Sequence, residues 1–230
     1  LEKPISEDLE DAQQLAELVK PDSSNLMLGH ILLFNSEFKG LSQVAQAQGG
    51  VTHVDAVRHR PATIVEDFAG ENPLYAAMVH DLYCAQALTN AVEPRSFSCQ
   101  YHLTPSGAID LANAQLIWPD GTLGRFSASF MTPPGMPPRG FDRMEVFGTG
   151  WSARVSPNPR PLEVWGKQAE WPMALEIMAD ETGTTGMMVE EQRCFLRVIS
   201  GKQDVPVGAR YQDGLQVQRW MQELNRVAIR

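Results

Sequence analysis

The sequence predicts an α+β domain built on one large, mainly antiparallel sheet with helices on one face. Apolar residues recur at helical spacing near both ends of the chain, alternation with period two fills the middle, and Gly or Pro separates the alternating segments. Strands grouped between terminal helices are typical of the α+β class. The 230 residues suffice for one large domain or two small ones, at about 100–200 residues per domain.

The first third of the chain predicts two helices and two strands. Residues 6–20 have an N-cap serine, acidic residues in the first turn and an apolar stripe, which indicate a helix. The continuous apolar run 26–34 predicts a buried strand. A short helix over 38–45 and a strand over 51–59 follow.

The remaining elements follow from caps, alternation and turn signals. Asn72 and Pro73 are a favoured N-cap and first helical residue, so they open a helix that ends near Asn90. Alternation begins at Arg95, and Asp120-Gly121 predicts the turn of a hairpin. Further strands are predicted at 143–147, 151–155, 162–166 and 173–178, and closing helices at 185–200 and 211–228.

Composition excludes several classes of protein. Lys and Arg number 19 against 28 Asp and Glu, and the net charge of −9 disfavours nucleic-acid binding. Apolar runs fall short of the roughly 20 residues of a bilayer span, so no membrane partner is expected. The three cysteines are odd in number and widely spaced, which predicts buried thiols in a reducing cytoplasm.

Helices on only one face of the sheet leave its other face open to contact with another molecule. A broad, partly apolar sheet face is typical of a dimer surface. We therefore expect a homo-oligomer, a dimer or a tetramer, that pairs through this face.

Several motifs occur in the order typical of one enzyme family. Residues 2–4 (EKP) precede the acidic helix, and residues 29–35 (GHILLFN) resemble the pattern G-H-hydrophobic-x-R-F. Residues 49–61 join a Gly-Gly-Val turn to a strand ending in RHRP, residues 78–81 (MVHD) are similar to a helical x-x-H-D motif, and residues 206–215 resemble the start of a closing helix. This set resembles the glucose-fructose oxidoreductase, inositol dehydrogenase and MocA (Gfo/Idh/MocA) family over almost the whole chain.

The resemblance implies a place in a larger enzyme. In that family Glu-Lys-Pro closes a Rossmann domain, and an α+β domain like the second domain of dihydrodipicolinate reductase follows. Residues 1–20 would then be a linker helix and 21–230 a substrate-binding and oligomerisation domain, with the Rossmann domain upstream of Leu1. The implied activity is NAD- or NADP-dependent hydride transfer on a sugar, polyol or related hydroxy or keto compound, with this chain inactive alone.

The resemblance also implies roles for two residues. Lys3 corresponds to the lysine beside the nicotinamide and the reacting hydroxyl, so Lys3 and Pro4 are expected to contact the cofactor. A cation at that place stabilises a developing alkoxide. His80 corresponds to the acid–base histidine, and an imidazole suits proton transfer near neutrality.

Two positions depart from the family pattern. Many members carry Asp one helical turn before the histidine, where this chain has Ala76. Asp81 or Tyr83 could take its role from an adjacent position. Leu33 replaces the usual Arg.

Taken alone, the residues leave these assignments open. His80 fits a packed helix histidine as well as a catalytic one. His30 fits a core histidine bonded to the backbone better than a pocket residue, and Arg58 suits a solvated strand end better than an anionic substrate's site. Asp81, Tyr83, His30 and Arg58 are the candidate substrate-binding residues.

No metal site is predicted, because the histidines and cysteines lack ligand spacing. The alternative function is a non-catalytic ligand-sensing or assembly module on the same fold, and Ala76 is the feature that favours it.

Overall fold

The computed structural model describes residues 1–6, 9–133, 135–136, 140–158, 164–165, 167, 169–170, 178–181 and 183–230. Within them the helices are α1 (Leu9–Leu15), α2 (Ser36–Ala47), α3 (Ile64–Asp67), α4 (Val79–Leu88), α5 (Met187–Ile199) and α6 (Tyr211–Arg226). A π-helical turn (Leu74–Met78) runs directly into α4, and 3₁₀ turns cover Ala16–Leu18 and Ile31–Phe34. The strands are β1 (His53–Pro61), β2 (Ser96–Leu103), β3 (Ile109–Ile117), β4 (Leu123–Thr132), β5 (Phe141–Gly148), β6 (Trp151–Asn158), β7 (Val164–Trp165), β8 (Ala169–Glu170), β9 (Met178–Asp180) and β10 (Gly183–Thr185).

In the described part of the chain, β1 to β6 form one six-stranded sheet in the order β2-β3-β4-β1-β5-β6. β1 pairs parallel with β4 and antiparallel with β5, and the other neighbours in this sheet are antiparallel. The register places Arg58 of β1 between Ala128 of β4 and Asp142 of β5. The predicted α+β class and mainly antiparallel sheet are confirmed.

The helices cover one face of this sheet. The π-helical turn and α4 lie on β1 and β4, α6 lies on β2, and α2 lies on β6. Alternation along β1 buries Val54 and Ala56 beneath them. On the opposite face Asn113, Gln115 and Arg125 are exposed. One face therefore builds the core, and the other exposes both polar and large apolar side chains.

The predicted hairpin between β3 and β4 is confirmed. Gly121 has φ of +91°, which L side chains rarely adopt, and its N–H donates to the Trp118 carbonyl at 3.0 Å. The Trp118 N–H donates to the Thr122 carbonyl at 2.9 Å. The Asp-Gly pair thus supplies the conformation that the turn needs.

The strand predicted over residues 26–34 is wrong. This segment is an extended loop followed by the 3₁₀ turn Ile31–Phe34. The Leu28 N–H donates to the Ala209 carbonyl, the Gly29 N–H to the Leu1 carbonyl, and the Leu33 N–H to the His30 carbonyl. A continuous apolar run indicates burial but has neither the helical nor the strand periodicity. It therefore could not distinguish a strand from a buried irregular segment.

The other predicted elements have mixed outcomes. The helices predicted at 6–20, 38–45, 72–90, 185–200 and 211–228 are confirmed with bounds shifted by a few residues, although residues 7 and 8 lie outside the description. Within the predicted strand 162–166 the described residues Val164–Trp165 form β7, and the predicted strand 173–178 lies almost wholly outside the described residues. All three cysteines are free and buried, as expected. None of the described helices is long and apolar enough to cross a bilayer.

Candidate active site

The site begins where the polypeptide enters α4. The Asn72 side-chain oxygen accepts a hydrogen bond from the Leu74 N–H at 2.9 Å, and Pro73 begins the helical conformation. Leu74, Met78 and Leu82 are fully buried against the sheet. Helical spacing therefore places residues 76, 77 and 80 together on another side of the helix. π-Helical turns of this kind are frequent at functional sites.

A cavity of about 270 Å³ lies on that side of the helix. The end of β1 forms one wall, the segment 64–71 a second, and the π-helical turn with the start of α4 a third. The lining residues are Arg58, Arg60, Ile64, Phe68, Glu71, Ala76, Ala77, His80 and Phe130. Phe68 is 60% exposed, so an aromatic ring stands at the edge of the cavity.

Lys3 is fixed at the same place. Its Nζ donates to the Ala76 carbonyl at 3.0 Å, which joins the Glu-Lys-Pro segment to the cavity wall. Burial lowers the pKa of Lys3, and the positive charge of Arg58 lowers it further, while the carboxylate of Glu71 opposes the shift. Lys3 is therefore a partly desolvated amine that loses its proton more readily than a surface lysine.

His80 is partly buried, and its orientation is fixed by Tyr83. The Nδ1 atom of His80 lies 2.8 Å from the Tyr83 hydroxyl. That hydroxyl also accepts a hydrogen bond from the Leu32 N–H at 3.2 Å. Burial lowers the pKa of His80 well below its usual value, and the charges of Arg58 and Lys3 lower it further. At neutral pH the cavity therefore contains a neutral imidazole.

His30 lies behind this pair, in the core. Its ring stacks on Tyr83 with centroids 4.1 Å apart and planes 7° apart. Its Nδ1 donates to the Gly208 carbonyl at 2.5 Å, because a carbonyl can only accept. Burial lowers the pKa of His30 to about 4, so this ring is also neutral near pH 7.

Arg58 forms the floor of the cavity within an ion network. Its Nε and Nη2 donate to Asp81 at 3.1 and 2.9 Å, and its Nη1 donates to Asp142 at 2.7 Å. Arg60 donates to Asp142 as well. Burial alone would lower the pKa of Arg58, but the two carboxylates raise it above its usual value. Arg58 is 4% exposed, so the prediction of a solvated strand end is wrong for this residue.

The predicted site residues lie at different distances from the cavity. His80 and Arg58 line the cavity, Lys3 bonds to the carbonyl of the lining residue Ala76, and exposed Pro4 follows Lys3. Tyr83 and His30 lie one layer behind, and Asp81 is turned into the core towards Arg58.

Two lining residues, Phe68 and Glu71, had no sequence signal, whereas Arg60 belongs to the RHRP strand end noted in the sequence. Phe68 and Glu71 reach the cavity because the segment after β1 folds back over the π-helical turn. Such long-range proximity leaves no local pattern in a single sequence.

A larger groove of about 580 Å³ lies on the open sheet face. Gln115, Arg125 and Asp55 line it, and the latter two form an ion pair. We assign the chemistry to the smaller cavity, because titratable groups with shifted pKa values converge there. Among the described residues no cluster of His, Cys, Asp or Glu could hold a metal ion.

The fold and the cavity define an α+β domain that places a lysine and a neutral histidine beside one small pocket. A family model described as the GFO/IDH/MocA C-terminal domain matches residues 28–154. The chain therefore belongs to the Gfo/Idh/MocA family, as the motifs predicted. Comparison with curated proteins gives no significant match.

Solved structures share this fold at low sequence identity. A putative myo-inositol dehydrogenase from Sinorhizobium meliloti 1021 is 20% identical, with 98% of this chain and 70% of that chain covered and a TM-score of 0.74. UDP-N-acetylglucosamine 3-dehydrogenase GnnA from Acidithiobacillus ferrooxidans is 21% identical, with 99% and 69% covered and a TM-score of 0.75. Scyllo-inositol dehydrogenase from Lactobacillus casei, with bound NAD(H) and scyllo-inositol, is 18% identical, with 99% and 69% covered and a TM-score of 0.73.

Proposed function

We propose that this chain is the substrate-binding and oligomerisation domain of an NAD- or NADP-dependent oxidoreductase that acts on a sugar, polyol or related hydroxy or keto compound. The observation that carries the proposal is that His80 lines the cavity while Lys3 bonds to the carbonyl of Ala76, another lining residue. The dehydrogenases with the same fold support the reaction class.

The cavity suits a small neutral ligand. Its volume of about 270 Å³ is near the lower end of the range of roughly 300–1,000 Å³ for ligand pockets. Arg58 and Arg60 are already bonded to Asp81 and Asp142, so their positive charges are compensated. A polyhydroxy compound can use the remaining donors without bringing a charge of its own.

Lys3 and His80 are the residues that act on the reacting oxygen. The Lys3 amine has hydrogens beyond the one donated to the Ala76 carbonyl. Donors held in place around an oxygen stabilise the negative charge that develops there during hydride transfer. His80 is the acid–base partner, and it starts as a neutral imidazole because burial lowers its pKa well below the usual value.

This donor set fits a nicotinamide-dependent reaction. When bound, the nicotinamide supplies or accepts the hydride, and the protein contributes binding and electrostatics. Lys3 and Pro4 would contact the cofactor from this chain. We propose that a Rossmann domain of the complete protein holds most of the dinucleotide.

The domain assignment follows the same proposal. Residues 1–20 link the two domains and residues 21–230 form the substrate domain. We propose that copies pair through the open sheet face, and that the protein works in the cytoplasm, where buried free thiols such as those here persist.

Steady-state kinetics of the complete protein tests the proposal. The protein is assayed with a panel of sugars and polyols and with both nicotinamide cofactors, alongside Lys3→Met and His80→Gln. We expect either substitution to lower kcat by about 10²- to 10⁴-fold, the usual contribution of an acid–base group. Unchanged turnover in both variants would contradict the site assignment.

The alternative is a ligand-sensing or assembly module, favoured by Ala76 in place of a carboxylate. Calorimetry separates the two functions. Binding of a polyol with no turnover under any condition of the panel would support the sensor and contradict the enzyme.

A further inference from the structure

The hydrogen bonds around His80 determine which of its ring nitrogens carries the proton. A neutral imidazole has one N–H donor and one bare acceptor nitrogen, and its hydrogen-bond partners select between them. Nδ1 is the nitrogen of His80 with a partner in the described part of the chain, and that partner is the Tyr83 hydroxyl at 2.8 Å.

The hydroxyl of Tyr83 has only one hydrogen to give. The backbone N–H of Leu32 donates to its oxygen at 3.2 Å, and a backbone amide cannot accept. Among the described residues His80 Nδ1 is the other group bonded to this hydroxyl, and Tyr83 is fully buried. If Nδ1 carried the proton, the Tyr83 hydrogen would be buried without an acceptor, which is unfavourable.

Three interactions fix the position of Tyr83. The Leu32 N–H fixes its hydroxyl, His30 stacks flat on its ring, and its backbone lies inside α4. The other predicted substitute for the missing carboxylate, Asp81, has both carboxylate oxygens on Arg58. Tyr83 is thus the candidate that reaches His80.

We propose that Tyr83 is a positioning residue that donates to His80 Nδ1, fixes the ring with its proton on Nε2, and so takes the orienting role left open at Ala76. This inference rests on the proposed function of His80. This narrows the proposed acid–base role of His80, because the ring meets a substrate oxygen as an N–H donor that stabilises the negative charge developing on that oxygen.

Nitrogen NMR of the complete protein tests the proposal without needing activity. Histidine is labelled with ¹⁵N, and the His80 signals are identified by their loss in His80→Gln. We expect Nδ1 to be the unprotonated nitrogen and Nε2 the protonated one at neutral pH. A protonated Nδ1 in the unaltered protein would overturn the proposal.

Tyr83→Phe provides the second arm, because it keeps the ring that stacks on His30 and removes only the hydroxyl. We expect its His80 signals to shift towards a mixture of the two tautomers. We also expect kcat to fall by about tenfold or more, with KM within about threefold, since orientation of the donor that stabilises the developing charge affects the chemical step. Tyr75→Phe is the matched control, because Tyr75 lies in the π-helical turn and its hydroxyl does not bond to His80.

Different results would contradict the positioning role of Tyr83 and the proposed function of His80. An unchanged tautomer in Tyr83→Phe overturns the positioning role, whatever happens to kcat. A normal tautomer response together with full activity of His80→Gln contradicts the proposed function of His80 instead.

Discussion

Replacement of Arg58 by Met tests the ion network under the cavity. Methionine preserves the apolar stem and removes the cation that bonds Asp81 at 2.9 Å and Asp142 at 2.7 Å. Asp142 keeps its bond to Arg60. Asp81 keeps no ion-pair partner among the described residues, so the substitution leaves a buried carboxylate without its salt bridge.

The expected loss of stability is large. The side chains of Arg58 and Asp81 are 4% and 3% exposed, and removing one partner of such a buried pair costs about 3–5 kcal/mol. For a domain of this size, about 2–4 °C per kcal/mol gives a fall in Tm of about 6–20 °C.

The loss should also depend on pH. Burial raises the pKa of Asp81, and Arg58 opposes that shift, so without Arg58 the folded pKa lies further above the unfolded one. A carboxylate whose pKa is raised in the folded state destabilises the fold at pH values above that pKa, and the destabilisation disappears as the pH falls and Asp81 takes up a proton. The deficit of Arg58→Met should therefore be smaller at pH 5 than at pH 8.

Urea unfolding at both pH values, followed by tryptophan fluorescence, measures these differences. Arg226→Met is the control, because its pair with Glu223 lies on the surface, and we expect little change. The double variant Arg58→Met with Asp81→Leu should recover much of the loss, because it removes the stranded charge. A loss below about 1 kcal/mol, or no recovery in the double variant, would refute the reasoning.

Three further predictions concern the core. Burial lowers the pKa of His30 to about 4, so the unfolded chain binds a proton more readily than the folded one, and the free energy of unfolding should fall by up to about 3 kcal/mol between pH 6.5 and 4. In His30→Gln the urea midpoint should depend less on pH over this range. An equal pH dependence in both proteins would refute the prediction. A Cβ on Gly214 would lie 2.2 Å from Leu28 Cδ1, so Gly214→Ala should lower the free energy of unfolding by about 1–3 kcal/mol. A Cβ on Gly40, in α2, would meet no atom within 4 Å, so Gly40→Ala should raise the free energy of unfolding by about 0.4–1 kcal/mol. The reverse order of the two variants in thermal denaturation would contradict the prediction. Native thiols should react slowly with an alkylating reagent and rapidly in urea, as mass spectrometry of the modified peptides would show; fast native labelling would count against their burial.

The sequence predicted elements whose signal is local. Alternation located β2 to β4, and Gly and Pro punctuation located β5 and β6. The Asp120-Gly121 pair located the hairpin turn, and Asn72-Pro73 located the start of the helix that contains His80. Residues 26–34 were misassigned because their backbone groups bond to the distant Ala209 and Leu1. That pairing depends on tertiary contacts that hydrophobic periodicity does not encode.

The candidate site was predictable only through its motifs. Lys3 and His80 are distant in the sequence and share no spacing rule, yet Lys3 bonds to the carbonyl of Ala76 in the wall of the cavity that His80 lines. The burial of Arg58 and Asp81 as a pair was not predicted, because a charged residue in a strand gives no sign of its partner on a helix.

A crystal structure of the complete protein with a nicotinamide cofactor and a bound polyol tests the central claim most directly. The account predicts one ligand oxygen within about 3 Å of both Lys3 Nζ and His80 Nε2, the reach of a proton-transferring group. A ligand bound instead in the groove on the open sheet face, with the cavity beside His80 empty of it, would contradict the account.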